Sequence, residues 1–270
     1  MRKLFCLLCV FALSLCACKK ADTPTETTPT ANTAPTVSTT PTQPTSPTVP
    51  APSGPTTFQY GESFGTNVTE FLTLLRTLHP DWSDNNRNLS EKNCYNVTPP
   101  EVFAETNMQI FFSPVTYRSY ILLDNQTEDG SSSPEIHKAV GDFVSAIPWD
   151  IDSDGHKDLL YSHSFGSGIP YRAISLFNPV SKENTRIFTT SKLIYTKELF
   201  LTKSASNVYF EGKPEAAEQL AFPVWEVDFE NIYKKEDDRS VLIGNKYTVT
   251  GIHGHIAVTN GIPTFIPYEK

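Results

Sequence analysis

Residues 21–57 have almost nothing to bury, and that confines the folded part of this 270-residue chain to the residues after them. The segment holds 9 Pro and 14 Thr in 37 positions, with no Leu, Ile, Met or aromatic side chain. So little apolar surface cannot offset the entropy of ordering the chain. Frequent Pro favours extended polyproline II, with a reach of about 115 Å at about 3.1 Å per residue. The expected organisation is a leader over 1–17, a disordered Thr/Pro-rich tether over 18–57 and a globular domain over 58–270. The last part is long enough for a sizeable core. It carries 28 acidic and 18 basic residues, so it is more acidic than the −8 of the whole chain. That balance excludes the basic face a nucleic-acid binder needs, and no nucleic acid is expected as a partner.

The leader has its own signature. Arg2 and Lys3 precede an apolar stretch from Leu4 to Leu15. Its length suits the h-region of a signal peptide and is short for a bilayer span. It ends Leu15-Cys16-Ala17-Cys18. This ending resembles the bacterial lipobox, with Leu at −3 and a small residue at −1. The resemblance implies cleavage after Ala17, diacylglyceryl transfer to the Cys18 thiol, and a lipid-anchored protein on the extracytoplasmic side of a bacterial membrane. Each buried CH₂ of such an anchor contributes about 0.8 kcal/mol, and stable attachment takes more than one chain. Cys6, Cys9 and Cys16 would leave with the leader, and Cys18 is consumed by lipid. Cys94 then remains alone, without a disulfide partner, and is expected to be a buried structural thiol.

The domain opens with a helix signal. Asn67 stands three residues before Glu70, a capping-box spacing, and Phe71, Leu74, Leu75 and Leu78 follow at helical intervals. His79-Pro80 ends the pattern. Pro134–Ala139 and Pro214–Leu220 are read as shorter helices with Pro at the first position. Most of the rest reads as strand: Gln109–Phe112, Tyr117–Leu123, Leu159–Phe165, Tyr171–Phe177, Arg186–Thr189 and Lys192–Thr196 are rich in aromatic and β-branched residues. Gly244-Asn245 and Asn260-Gly261 are read as hairpin turns. The expected fold class is mainly β, with α+β as the alternative: an antiparallel β-meander domain with a few short helices.

One motif carries chemistry. Residues 150–158 place Asp150, Asp152, Asp154 and Asp158 at positions 1, 3, 5 and 9, with Gly155 at 6. A hard Ca²⁺ ion takes six to eight oxygens, and a tight loop turns alternate side chains toward it. Gly155 supplies the sharp turn, and the His156 carbonyl at position 7 is expected to point inward. Position 12 is Tyr161 and the flank reads as strand, so the loop is not an EF-hand. DxDxDGxxDL entering a strand resembles the calcium loop of FG-GAP/VCBS repeats, as in integrin-like β-propellers. The resemblance covers Trp149 to about Phe188 and implies a calcium-bearing β unit. No second DxDxDG occurs, so one meander in a smaller sheet domain is expected rather than a full propeller.

Weaker signals are read structurally. His253-Gly254-His255 places two imidazoles on one strand face, without a visible third zinc ligand. His163 lies between Ser162 and Ser164, but no G-x-S-x-G elbow occurs. Trp149, Trp225 and Tyr233 are read as core aromatics, and Lys234–Arg239 as a solvated loop. The expected function is a non-catalytic surface lipoprotein, its β domain stabilised by calcium, binding an envelope protein or glycan. An extracytoplasmic hydrolase and an inhibitor of a cell-wall lytic enzyme are the alternatives.

Overall fold

The computed structural model describes residues 56–59, 65–85, 88–126, 132–139, 141–166, 171–190, 197–202, 206–208, 219–259 and 261–268. The leader, Cys18, the strand expected at 192–196 and most of the helix expected at 214–220 lie outside these residues. In chain order the elements are β1 (Thr56–Gln59), α1 (Val68–Leu78), α2 (Pro80–Asn85), β2 (Tyr95–Asn96), α3 (Pro100–Thr106), β3 (Met108–Ser113), β4 (Arg118–Gln126), β5 (Ser132–Ala139) and β6 (Asp142–Trp149). Next come β7 (Asp158–Phe165), β8 (Tyr171–Phe177), β9 (Asn184–Thr189), β10 (Glu198–Leu201), β11 (Ser206–Val208), β12 (Gln219–Glu236), β13 (Arg239–Thr259) and β14 (Ile262–Pro267). The domain is mainly β, and the described strands form three antiparallel sheets. Two are four-stranded meanders, β2-β3-β4-β5 and β6-β7-β8-β9. The third runs β1-β13-β12-β10, with β11 also on β12 and β14 also on β13.

Side-chain alternation stacks the layers. Along β3, Met108, Ile110 and Phe112 join Leu159, Tyr161 and Phe177 of the second meander in one apolar cluster. Phe111, one residue out of phase, joins Phe71, Leu72 and Leu75 of α1 on the other face. Its ring stacks on Phe71 with centroids 3.9 Å apart. The second meander repeats the device. Leu160 and Ile174 turn away from the first meander to meet Leu199, Leu201, Phe222, Val224 and Ile256 of the third sheet. A strand covered on both faces is buried at every position. That is why all six residues of β3 are buried although they include Gln109 and Ser113.

α1 forms where its sequence says it should. The Asn67 side chain accepts the Glu70 N–H at 3.0 Å, and the Glu70 carboxylate accepts the Asn67 N–H at 3.2 Å, completing the capping box. Cys94 is buried against this helix, and burial pushes its thiol pKa up to about 12.

Several expectations are corrected. Pro134–Ala139 lies in β5, not in a helix: its backbone pairs with Ser119–Asp124 of β4. Long-range pairing overrides local helix propensity here, and Pro134 is tolerated because β5 is an edge strand. Gly244-Asn245 is not a turn but the interior of β13, paired with Ile232 and Asn231. The chain reverses instead at Asp237-Asp238, between Glu236 and Arg239, so the supposed charged loop is the end of a long hairpin. β13 has 21 residues to the 18 of β12. Three bulges absorb the difference, leaving Ile243, Thr250 and His253 unpaired in the ladder. Gly244 thus marks a bulge rather than a hairpin. Asn260-Gly261 does join two strands, since Thr259 pairs with Ile262 across it. β1 begins at Thr56, two residues inside the stretch read as tether. Tyr233 is 52% exposed, whereas Trp225 is buried.

Candidate metal centre

The acidic loop connects β6 to β7, the first two strands of the second meander. Trp149 pairs with Asp158 at its base, so 150–157 project as one closed connection. The carboxylates of Asp150, Asp152 and Asp154 bring ligating oxygens within 4.8 Å of one another. Backbone amides organise them. The Asp150 carboxylate accepts Asp154 N–H at 3.1 Å and Gly155 N–H at 3.2 Å, and Asp154 Oδ1 accepts His156 N–H at 2.7 Å. Gly155 takes a φ of +87°, and a Cβ there would meet nothing within 4 Å. Its role is therefore conformational freedom rather than space. His156 is exposed, and Asp152 and Asp154 face solvent.

Asp158 differs from the other three. It is only 1% exposed. Its Oδ2 accepts the Ile151 N–H at 3.2 Å, tying the loop's exit to its start. Its Oδ1 is buried with no hydrogen-bond donor among the described residues. Burial raises its pKa to about 6, and the charges of Asp152, Asp154 and Asp150 push in the same direction while the Ile151 bond opposes them. A buried carboxylate oxygen without a donor is costly. A divalent cation among the oxygens of Asp150, Asp152 and Asp154 would relieve their mutual repulsion, whereas Asp158, expected as a fourth ligand, is not among the side chains gathered within 4.8 Å. The donor set is all hard oxygen, and the residues present fit such an ion.

Two distant turns lie against the loop. Asn178, which follows β8, donates its side-chain amide to Asp152 Oδ2 at 3.3 Å. A methyl group added at Gly261 in the β13–β14 turn would meet Asp152 Cα at 3.7 Å. Lys157 forms an ion pair of 2.7 Å with Glu105 of α3 in the first meander. No local pattern announces Asn178, Gly261 or Glu105 as neighbours of the loop, because each is far from it in sequence.

No family model matches the chain, and no match was found among curated proteins or solved structures.

The weaker candidates resolve as structural groups. His163 Nε2 lies 2.9 Å from Ser175 Oγ, while Ser162 bonds Ser145 at 2.6 Å. All four side chains are buried, and burial lowers the His163 pKa to about 4. No substrate can reach that pair. His253 sits at a bulge, so it and His255 do not share the simple alternation expected of them. His253 Nδ1 lies 3.0 Å from Glu226 Oε1, while His255 is buried with neither ring nitrogen bonded among the described residues. Among the described residues, only Asp150, Asp152 and Asp154 gather three metal-ligating side chains.

Proposed function

We propose that this chain is a lipid-anchored protein of a bacterial cell envelope, and that Ca²⁺ in the 150–158 loop stabilises its β-rich domain for a non-catalytic binding role. The observation that carries the metal reading is the gathering of Asp150, Asp152 and Asp154 oxygens within 4.8 Å of one another, in a loop whose exit holds the buried Asp158 Oδ1 without a donor among the described residues. Calcium suits the loop better than magnesium. It accepts six to eight oxygens in irregular geometry, whereas magnesium demands a near-ideal octahedron and retains its waters. The four-stranded meander around the loop supports reading it as a single unit of FG-GAP/VCBS type. The lipid anchor rests on Leu15-Cys16-Ala17-Cys18, and the Thr/Pro-rich tether would supply the reach from membrane to domain.

Thermal melting in calcium and in chelator tests the metal. At a hundredfold excess over Kd, calcium should raise the wild-type melting temperature by about 5–10 °C. Asp150→Ala and Asp154→Ala should remove most of that rise and melt near wild type in chelator. Identical calcium responses in mutant and wild type would sink the reading. For the anchor, the wild-type chain expressed in a bacterial host should incorporate a labelled fatty acid, and Cys18→Ala should not. Equal labelling of the two would refute acylation at that residue.

A further inference from the structure

A cleft of about 400 Å³ opens beside the acidic loop, within the size range of small-ligand sites. Two parts of its wall are tied to that loop. One part is the loop's own Gly155, His156 and Lys157. The other is Pro179 and Val180, held by Asn178. The Asn178 Oδ1 accepts the N–H groups of Val180 and Ser181 at 2.8 Å each, while its Nδ2 donates to Asp152 Oδ2. Its backbone closes the same turn with Glu183 and Lys182, at 3.0 Å each. A cation that draws Asp152 inward therefore acts on both parts of the wall.

We propose that this cleft binds an uncharged saccharide unit and that calcium in the loop sets its affinity; the coupling rests on the calcium reading above. The charge around the cleft selects against anions. The four loop carboxylates carry twice the charge of a divalent cation, and Asp124 adds another carboxylate to the lining. Lys157, the one formal cation among the described lining residues, is already paired with Glu105. Val180, 54% exposed, and Pro179 offer an apolar surface. Asp124, Glu105, Lys157 and His156 offer acceptors and donors around it. A sugar ring presents the complement, with C–H groups on a face and hydroxyls that both donate and accept at its rim.

Calorimetry on the full-length chain, held in a detergent without a sugar headgroup, tests this. Calcium uptake is measured first, without sugar. The probes are the trimer of N-acetylglucosamine and maltotriose, both uncharged, and the cationic trimer of glucosamine, all at millimolar concentration. At least one uncharged trimer should bind in calcium, and about tenfold more weakly in chelator. Val180→Lys, a change on an exposed turn, should abolish that binding and leave calcium uptake intact. If calcium binds but neither uncharged trimer does, or only the cationic trimer does, or Val180→Lys binds as wild type, the cleft proposal is overturned and the loop reading stands. Equal sugar affinity in calcium and chelator overturns the coupling. No calcium uptake overturns the loop reading itself, and the coupling falls with it.

Discussion

Asp158 accepts the Ile151 N–H at 3.2 Å on one carboxylate oxygen and holds the other buried, without a donor among the described residues. Asp158→Asn keeps the shape and the acceptor for Ile151 while removing the buried charge. In chelator the variant should melt at or above the wild-type temperature. In calcium it should lose most of the wild-type rise. Differential scanning calorimetry in both conditions reads this, and an undiminished calcium response would detach Asp158 from the metal.

Arg172 of β8 reaches from the second meander to Glu198 of β10 in the third sheet. Nη2 donates to Oε1 at 2.9 Å and Nε to Oε2 at 3.3 Å. Both side chains are largely buried. Glu198→Ala takes away the carboxylate that accepts two hydrogen bonds from the buried Arg172 guanidinium, so it should cost about 3–5 kcal/mol in urea unfolding. The double change Arg172→Met with Glu198→Leu should recover much of that loss, because apolar side chains of similar volume carry no desolvation cost. A double variant less stable than Glu198→Ala would contradict this account.

Asp142 at the start of β6 has its pKa raised to about 6, chiefly by burial and then by the Glu198 carboxylate, and its Oδ1 lacks a donor among the described residues. The folded state therefore holds this proton more tightly than the unfolded chain does. Asp142 destabilises the fold above about pH 6, and the penalty fades as pH falls from there toward the unfolded value near 3.8. Asp142→Asn should accordingly stabilise at pH 7.5 by on the order of 1–2 kcal/mol and make little difference at about pH 4. His163 works in the opposite sense. Its pKa of about 4 lies below the usual 6.5, so the stability gained from keeping it neutral is full above pH 6.5 and is lost as pH falls toward 4. Comparing Asp142→Asn with wild type at each pH cancels the histidine term.

Asn67→Ala removes the side-chain half of the capping box on α1, the Oδ1 that accepts the Glu70 N–H, and leaves the backbone N–H that donates to the Glu70 carboxylate. The expected cost is about 1 kcal/mol in denaturant unfolding. A loss below a few tenths of a kcal/mol would mean that packing of Phe71, Leu72 and Leu75 alone holds the helix.

The parts of the fold legible in the sequence are those whose partners are close by in the chain. α1 is one case: the residues that cap it and those that form its apolar face all lie within about a dozen positions of Asn67. The acidic loop is another, because Asp150, Asp152 and Asp154, with a glycine beside them, can meet within six residues without help from elsewhere. Asn260-Gly261 is a third, since a two-residue turn needs only its own flanks. Where a partner is remote, local pattern misleads. Nothing in Pro134–Ala139 says that β4 will claim its backbone. Nothing in Gly244-Asn245 says that the chain has already turned at Asp237-Asp238 and that Gly244 will sit beside a bulge.

The chain's own order thus determined that residues 21–55 hold no Leu, Ile, Met or aromatic side chain, where the first helix starts, and which oxygens gather in one loop. Folding alone decided that Asp158 is buried while Asp152 and Asp154 stay in solvent, and that Asn178 reaches Asp152 from 26 residues away. It also decided that β3 and the central strands of the second meander are covered on both faces, which buries polar side chains such as Gln109, Ser162 and Ser175. The reason is physical. A helix or tight turn satisfies its backbone within itself, whereas a strand finds its hydrogen bonds, and a buried carboxylate its surroundings, in segments that only the whole fold brings near.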